Sequence, residues 1–369
     1  MSEAEEADRV EGCLHPRETP ALYGHHDAEA AFAAAWASGR LHHAWLITGA
    51  RGIGKATLAY RLARALLAGE APPDRFDTPP GCPVAARIKA GSEARLTVLR
   101  RSLDRPGRAD ARLTKTIGAE ETRALGRILA LRVPDGGRRV VIVDAVDECS
   151  TQAANALLKN VEEPPERTYF LLLSHRPGGL LPTIRSRCRR LDLAPLGPAD
   201  LTRALAGQEV EVDTAMAEGL AALGAGSVQA AHALVEAEGL ALYTALAQLI
   251  APDGREVDRA RLMALADSVG GRARADRYRM ALELGVTLTA RLARAAAGHP
   301  PRPAVPPEAP LLAAAEAAGA PHARALAETA AAMADSAAAA QAANLDPART
   351  VIDTWLSFEA RLATPRHPA

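Results

Sequence analysis

A glycine-rich stretch between residues 46 and 63, LITGARGIGKATLAYRLA, contains the residue types that bind phosphate. Gly49, Gly54 and Lys55 have the spacing G-x-x-x-x-G-K, preceded by an apolar run and followed by a helical pattern. In such a loop the backbone N–H groups and the helix N-terminus face the phosphates, and the lysine reaches the β and γ oxygens. The stretch therefore predicts a site for a nucleoside phosphate.

Two positions of this site lack groups that hydrolysis requires. The residue after the loop lysine should offer a hydroxyl to Mg²⁺, but it is Ala56, and Thr57 comes one residue late, about 100° further around the helix. Asp144 follows the apolar run VVIV and fits the acidic half of the site, yet Ala145 stands where hydrolysing enzymes carry a glutamate. The candidate nucleotide-binding residues of this degenerate site are Gly49, Gly52, Gly54, Lys55, Thr57 and Asp144.

The acidic residues Asp147 and Glu148 leave an alternative open. A distorted turn would let either of them act as the missing base, which would make the chain an active ATPase. The simpler interpretation makes both of them solvated loop acids or a cap for the helix STQAANALL.

The elements that position this site follow from the apolar pattern. Short apolar runs typical of buried strands (HAWLITGA, LTVLRRS, RRVVIVDAV, TYFLLLSH) alternate with segments of helical spacing, which predicts a doubly wound parallel sheet with helices on both faces. After about residue 197 the strand signals end and alanine- and leucine-rich helices follow. We place an α/β P-loop domain at residues 1–195, a small helical domain at 196–240 and an all-α domain at 241–369.

Composition sets broad limits on the protein. The 369 residues contain 44 basic and 44 acidic side chains, but residues 85–139 hold 14 basic against 6 acidic ones. That segment could face nucleic acid or an acidic partner, or form a solvated arginine-rich surface. No apolar run approaches the roughly 18 residues of a membrane span, and the acidic start does not resemble a signal peptide. We expect a cytoplasmic protein without membrane contact.

Three further patterns either indicate no site or allow two interpretations. The four cysteines, with no C-x-x-C pair, indicate neither disulfides nor a metal site. Six prolines between residues 298 and 310 predict an exposed loop that joins two helices or binds a proline-reading partner. TIRSRCRRL, at 183–191, places four arginines after the last apolar run; one of them could serve a phosphate bound by another subunit, or all could form a salt-bridged turn.

Together these motifs resemble the clamp-loader branch of the AAA+ proteins, and within it the delta-prime subunits of bacterial DNA polymerase III. The resemblance covers about residues 15–195, and its most specific parts are NALLKNVEEPP and the triplet Ser186, Arg187, Cys188. It implies an AAA+ fold whose two helical domains are a lid and an oligomerisation collar. Ser174 or His175 would be the first sensor, and Val228 and Gln229 stand near the place of the lid arginine of motor subunits.

The resemblance also implies a role. Arg187 would be an arginine finger for the ATP site of a neighbouring gamma/tau-type motor subunit, in a hetero-pentameric ring that also contains a delta subunit. The ring would load the sliding clamp on primer-template DNA during replication. The chain would thus belong to the polymerase holoenzyme while being neither a polymerase nor an active ATPase itself.

The resemblance limits the cofactors as well. No cofactor would be required, although ATP or ADP could bind without hydrolysis. Many family members carry four zinc-binding cysteines, of which only Cys82 is kept here, so no zinc is predicted.

Overall fold

The computed structural model describes residues 9, 12–19, 21–69, 76–77, 79, 81–105, 112–131, 133, 136–251, 256–270 and 274–363. The chain divides into two compact units, Met1–Val212 with Ser227–Gln229, and Asp213–Gly226 with Ala230–Ala369. The first is α/β and the second is helical. The predicted architecture, an α/β P-loop domain with a parallel sheet followed by helical material, is confirmed.

The strands of the first unit form one parallel sheet in the order β2-β3-β4-β1-β5. They are β1 Ala44–Thr48, β2 Leu96–Arg100, β3 Arg139–Asp144, β4 Thr168–Ser174 and β5 Arg189–Asp192. The central strands β1, β3 and β4 are almost wholly buried, which explains their uninterrupted apolar runs. Because the strands are parallel, their carboxyl ends meet at one edge of the sheet, where α/β folds bind ligands.

Helices cover both faces of this sheet, as predicted. They are α1 His26–Ala37, α2 Lys55–Ala68, α3 Pro83–Lys89, α4 Ala119–Ala130, α5 Thr151–Glu162, α6 Pro182–Ser186 and α7 Pro198–Ala206. Alternate residues of β1 point to opposite sides: Trp45 packs in a cluster with α1 to α3, and Leu46 in a cluster with α4 to α6. The two apolar cores therefore lie on opposite faces of the sheet.

The start of α5 corrects one prediction. The side chain of Ser150 accepts a hydrogen bond from the Ala153 N–H at 3.2 Å and caps the helix. Asp147 and Glu148 lie in a single 3-10 turn before that cap and are not the capping residues. The end of α5 agrees with the sequence, because the helix stops at Glu162, ahead of Pro164.

Several arginines of the basic segment 85–139 are bound within the chain. Arg138 donates to the carbonyl just beyond α2 at 2.5 Å, and Arg139 donates to two carbonyls at the end of α4 at 3.0 and 2.8 Å. Both side chains therefore satisfy helix C-termini. Arg87 and Arg95 form ion pairs with Glu93. The buried Arg138 and Arg139 belong neither to a nucleic-acid face nor to a solvated surface, whereas Arg87 is exposed.

The second unit is built from long helices. They are α8 Thr214–Leu223, α9 Val228–Glu236 (whose first two residues belong to the first unit), α10 Gly239–Leu249, α11 Arg259–Val269, α12 Ala275–Ala296, α13 Glu308–Ala318, α14 Ala320–Ala342 and α15 Pro347–Ala363. Helix α12 packs against α10, α13 and α14. None of the helices in the described ranges is long and apolar enough to cross a membrane. The finer division into a lid at 196–240 and a collar at 241–369 stays a prediction.

A buried carboxylate connects the proline-rich loop to this helical unit. Glu308, with no exposed surface, accepts hydrogen bonds from the Tyr243 hydroxyl at 2.8 Å and from Arg291 Nε at 2.6 Å. Arg291 also donates to the Arg302 carbonyl at 2.6 Å. Burial, with the nearby Glu308 charge, raises the pKa of Tyr243. The stretch does join two helices, but its end is buried rather than exposed.

Glu308→Gln should weaken the helical unit strongly. The substitution leaves the Arg291 guanidinium buried beside a neutral amide, and breaking a buried ion pair from one side costs about 3–5 kcal/mol. Urea denaturation followed by circular dichroism measures the change in unfolding free energy. Glu316→Gln, at an exposed position of the same helix, is the control and should change it by less than about 0.5 kcal/mol. Equal stability of the two variants would contradict the role given to Glu308.

Candidate functional site

The predicted phosphate loop has the expected setting. Residues 49–54 connect the end of β1 to Lys55, the first residue of α2. Gly49, Gly52 and Gly54 all have positive φ, at 149°, 76° and 106°. At Gly52 and Gly54 the backbone adopts conformations that other residues reach only with strain. The loop therefore has the glycine-dependent shape of a phosphate cradle.

The Lys55 side chain lies inside this loop. It is 4% exposed, and its Nζ donates to the carbonyls of Gly49 at 2.9 Å and Ala50 at 2.6 Å. Burial lowers the pKa of Lys55 to about 8, although the carboxylates of Asp144 and Asp147 oppose that shift. The ammonium has three N–H donors, so a phosphate could accept the third while the loop carbonyls keep the other two.

A short segment, Ser227–Gln229, lies directly on the loop and belongs to the same compact unit. The Val228 N–H donates to the Gly52 carbonyl at 3.0 Å. A Cβ atom on Gly52 would collide with the Ser227 hydroxyl and lie 2.5 Å from the Gln229 Cβ. The positions where the resemblance puts the lid sensor are therefore packed against the phosphate loop, and they bring an amide rather than a guanidinium.

The two acids that followed Asp144 in the sequence are both bound within the fold. The Asp147 carboxylate accepts the backbone N–H of His175 at 2.9 Å. Glu148 forms ion pairs with Arg51 and with Arg101, the second at 2.8 Å. Neither is a simple solvated loop acid, and both carboxylates have partners that a catalytic base would have to leave.

The two candidates for the first sensor differ in their surroundings. Ser174 ends β4 and is fully buried, whereas His175 is half-buried and faces the site. Burial, together with the positive charges of Lys55 and Arg51, lowers the pKa of His175 to about 4. The imidazole is therefore neutral at neutral pH, and its buried Nδ1 has no hydrogen-bond partner among the described residues.

These parts surround a cavity of about 470 Å³. Its lining contains Lys55, Ala56, Thr57, Asp144 and His175, all within the first unit. The volume lies in the range that holds a nucleotide-sized ligand. Carbon atoms line the position where Ala56 replaces a metal-binding hydroxyl, so the cradle offers phosphate contacts without the group that would hold Mg²⁺.

Sequence reasoning missed one wall of the cavity. The N-terminal segment contributes Leu14, Leu22 and Tyr23, and α7 and the turn after it contribute Ala204 and Gln208. The Gln208 side-chain oxygen accepts the Leu14 N–H at 2.6 Å and joins the two segments. The apolar residues that precede α1 gave the only available signal, since no motif connects residues 14 and 208.

The triplet Ser186, Arg187, Cys188 lies at the end of α6, and none of the three lines the cavity. Arg187 is exposed; its Nη2 lies 2.8 Å from Glu162 Oε1, and its Nη1 donates to the Thr183 carbonyl at 3.3 Å. The Ser186 hydroxyl donates to the same carbonyl at 3.1 Å. Cys188 packs against the core beneath α5, where burial raises the pKa of its thiol to about 12. The structure thus keeps Arg187 away from the phosphate loop of its own chain.

Comparison with known proteins agrees with this architecture. The family profile described as "DNA polymerase III, delta subunit" matches residues 24–197, from the segment before α1 to the start of α7. Over residues 24–197 this chain is therefore similar to the DNA polymerase III delta-subunit family. The resemblance to delta-prime subunits noted from the motifs is therefore confirmed.

Individual relatives give the same result for the α/β part. The DNA polymerase III subunit delta' of Pseudomonas aeruginosa is 37% identical over 40% of this chain and 41% of its own length. That of Escherichia coli is 33% identical over 59% of this chain and 62% of its own length. A gamma/tau subunit of Mycobacterium tuberculosis is 34% identical over 50% of this chain and 30% of its own length. The chain therefore spans between 30% and 62% of the length of these three relatives.

Among solved structures, a DNA polymerase III gamma-subunit-related protein of Thermotoga maritima aligns with 87% of this chain and 95% of its own. The two are 16% identical, with a TM-score of 0.39. The family assignment accordingly depends on the sequence matches to the delta-subunit family and not on this alignment.

Gly52→Ala should separate the segment Ser227–Gln229 from the phosphate loop or destabilise both. The Cβ would add a collision to a strained φ, and overpacking costs about 1–3 kcal/mol beyond the strain. Gly39→Ala is the matched control, because Gly39 has a similar φ of 69° with nothing within 4 Å of the Cβ position. Chemical denaturation should show a larger loss for the first variant; equal losses would contradict the contact.

Proposed function

We propose that this chain is a delta-prime-type subunit of a bacterial clamp loader that does not hydrolyse ATP and supplies Arg187 to the ATP site of a neighbouring subunit. The observation that carries the proposal is the place of Arg187: it is exposed at the end of α6 and absent from the lining of its own cavity. If this arginine serves a phosphate, the phosphate is held by another chain. Such a residue stabilises the charge of the transition state and increases the rate of hydrolysis about 10³- to 10⁵-fold.

The cavity supports the loss of hydrolysis. Ala56 and Ala145 have methyl groups where a metal-binding hydroxyl and a catalytic carboxylate would stand, and Ala145 is 1% exposed. Asp147 and Glu148 are held by His175 and by arginines. The cradle around Lys55 is complete, so ATP or ADP could bind there through its phosphates. Gly49, Gly52, Gly54, Lys55, Thr57 and Asp144 would line that nucleotide, without a role in turnover.

The partners follow from the relatives. The matched proteins are named as subunits of DNA polymerase III, of the delta' and gamma/tau kinds. We therefore place this chain in a hetero-pentameric ring with gamma/tau-type motor subunits and a delta subunit, in the cytoplasm. The ring would load the sliding clamp on primer-template DNA in replication. Neither a metal nor another cofactor is needed for a subunit that acts through one guanidinium.

One observation favours a second function, that of an active motor subunit. The phosphate cradle is intact, and the similarity to a gamma/tau subunit is nearly as high as that to the delta' subunits. The purified chain incubated with Mg²⁺ and ATP decides between the two functions. Our proposal expects no phosphate release above background, and turnover at about 1 s⁻¹ or more, the lower end of ordinary enzyme rates, would establish the second function.

Arg187→Ala should lower the ATPase rate of the reconstituted loader at least about tenfold, in line with the loss of an arginine finger. Phosphate release by the loader with clamp and primed DNA is the measurement. Arg185→Ala, which removes an exposed arginine two residues earlier in α6, is the matched control and should leave the rate unchanged. An unchanged rate for Arg187→Ala would remove the proposed trans role.

A further inference from the structure

We propose that Glu162 is a positioning residue for Arg187: its carboxylate orients the guanidinium that enters the neighbouring site. The inference goes beyond the proposed function and rests on it, because a finger that serves no neighbour would need no orientation. The sequence separates the two residues by a helix end, a strand and a short helix, so the pair is visible only in the folded chain.

The contact has directional geometry. Glu162 is the last residue of α5, and its Oε1 lies 2.8 Å from Nη2 of Arg187, which follows α6. On the other branch of the guanidinium, Nη1 donates to the carbonyl of Thr183 at 3.3 Å. Two anchors on two nitrogens restrict the rotation of the planar group. The remaining donors of the five N–H groups stay available for an acceptor outside the chain.

Helix geometry argues against a purely stabilising role for the pair. The side chains are 41% and 36% exposed, and exposed ion pairs contribute little to folding. A carboxylate at the C-terminal end of a helix is itself unfavourable, because the helix dipole is negative there. Loss of the Glu162 charge should therefore leave the fold as stable as before.

Orientation of the Arg187 side chain affects its entry into the neighbouring site rather than the stability of the fold. Arginine has high rotamer entropy. If Glu162 already orders the Arg187 side chain, less conformational entropy is lost when that side chain enters the neighbouring site. A weak surface ion pair raises the population of the oriented side-chain conformation relative to the others by about two- to fivefold. We expect an effect of the same size on the rate.

The chain offers a matched control. Glu163 follows Glu162 directly and is also exposed, but the ion pair of Arg187 is formed with Glu162. Glu162→Gln and Glu163→Gln therefore remove the same charge at adjacent positions, close to the same helix end. Only the first removes the negative charge that faces the guanidinium.

The experiment measures steady-state ATPase of the reconstituted loader, with clamp and primed DNA, for five variants: Glu162→Gln, Glu162→Asp, Glu163→Gln, Arg187→Ala and the double variant Glu162→Gln with Arg187→Ala. We expect Glu162→Gln to lower kcat about two- to fivefold with KM unchanged, and Glu163→Gln to match the wild type. The double variant should be no slower than Arg187→Ala alone. Glu162→Asp should recover part of the rate, and the melting temperature of Glu162→Gln should stay within about 2 °C of the wild type.

The outcomes separate this inference from the proposed function. Normal ATPase for Arg187→Ala overturns both. A slow Arg187→Ala with a normal or faster Glu162→Gln overturns the positioning role alone. A slow Glu162→Gln that also melts at a clearly lower temperature, or that slows the Arg187→Ala background further, overturns it too, because the carboxylate would then act on the fold or on another group.

Discussion

Parallel pairing of β1, β3 and β4 is the constraint on which the rest of the site depends. The register places Ala44 opposite Phe170 and Val143 opposite Leu172, so that β1, β3 and β4 end at the same edge of the sheet. The phosphate loop, Asp144 and His175 follow those three ends and therefore become neighbours. A slip of one residue would move the side chains of a strand from one apolar core to the other and would shift the residues at its carboxyl end.

The retained lysine illustrates how a site can lose hydrolysis and keep its shape. Lys55 bonds two carbonyls of its own loop, and its ammonium is buried there. These bonds stabilise the loop whether or not a phosphate is cleaved, so a lysine at this position needs no catalysis to be useful. The lost groups at positions 56 and 145, in contrast, are those that act only on metal and water. The group that holds the loop in shape is therefore kept, and the groups that our proposal expects to be absent are missing.

Local patterns predicted much of the α/β unit. The apolar runs gave the strands, Pro164 gave the end of α5, and the glycine spacing gave the phosphate loop. What the sequence could not show are contacts between distant segments. The Ser227–Gln229 segment on Gly52, the Leu14–Gln208 wall, and the arginines that bond the ends of α2 and α4 all depend on which elements become neighbours. Periodicity indicates which face of an element is buried, but not which partner it meets.

The same limit applies to Asp147, Glu148 and Arg187. Asp147 and Glu148 read as loop or capping acids because Ser150, the true cap, follows so closely. Arg187 was distinguished from three nearby arginines only by resemblance, and its partner Glu162 lies 25 positions earlier in the chain. In the folded unit these side chains differ in their exposure and in their ion pairs. Sequence spacing encodes neither property.

The most direct test is a cryo-electron microscopy structure of the reconstituted loader with a non-hydrolysable ATP analogue. The account predicts that a guanidinium nitrogen of Arg187 lies within hydrogen-bond distance, about 2.7–3.2 Å, of a γ-phosphate oxygen in the adjoining motor subunit. An Arg187 side chain that points into solvent, with every adjoining γ-phosphate beyond its reach, would contradict it.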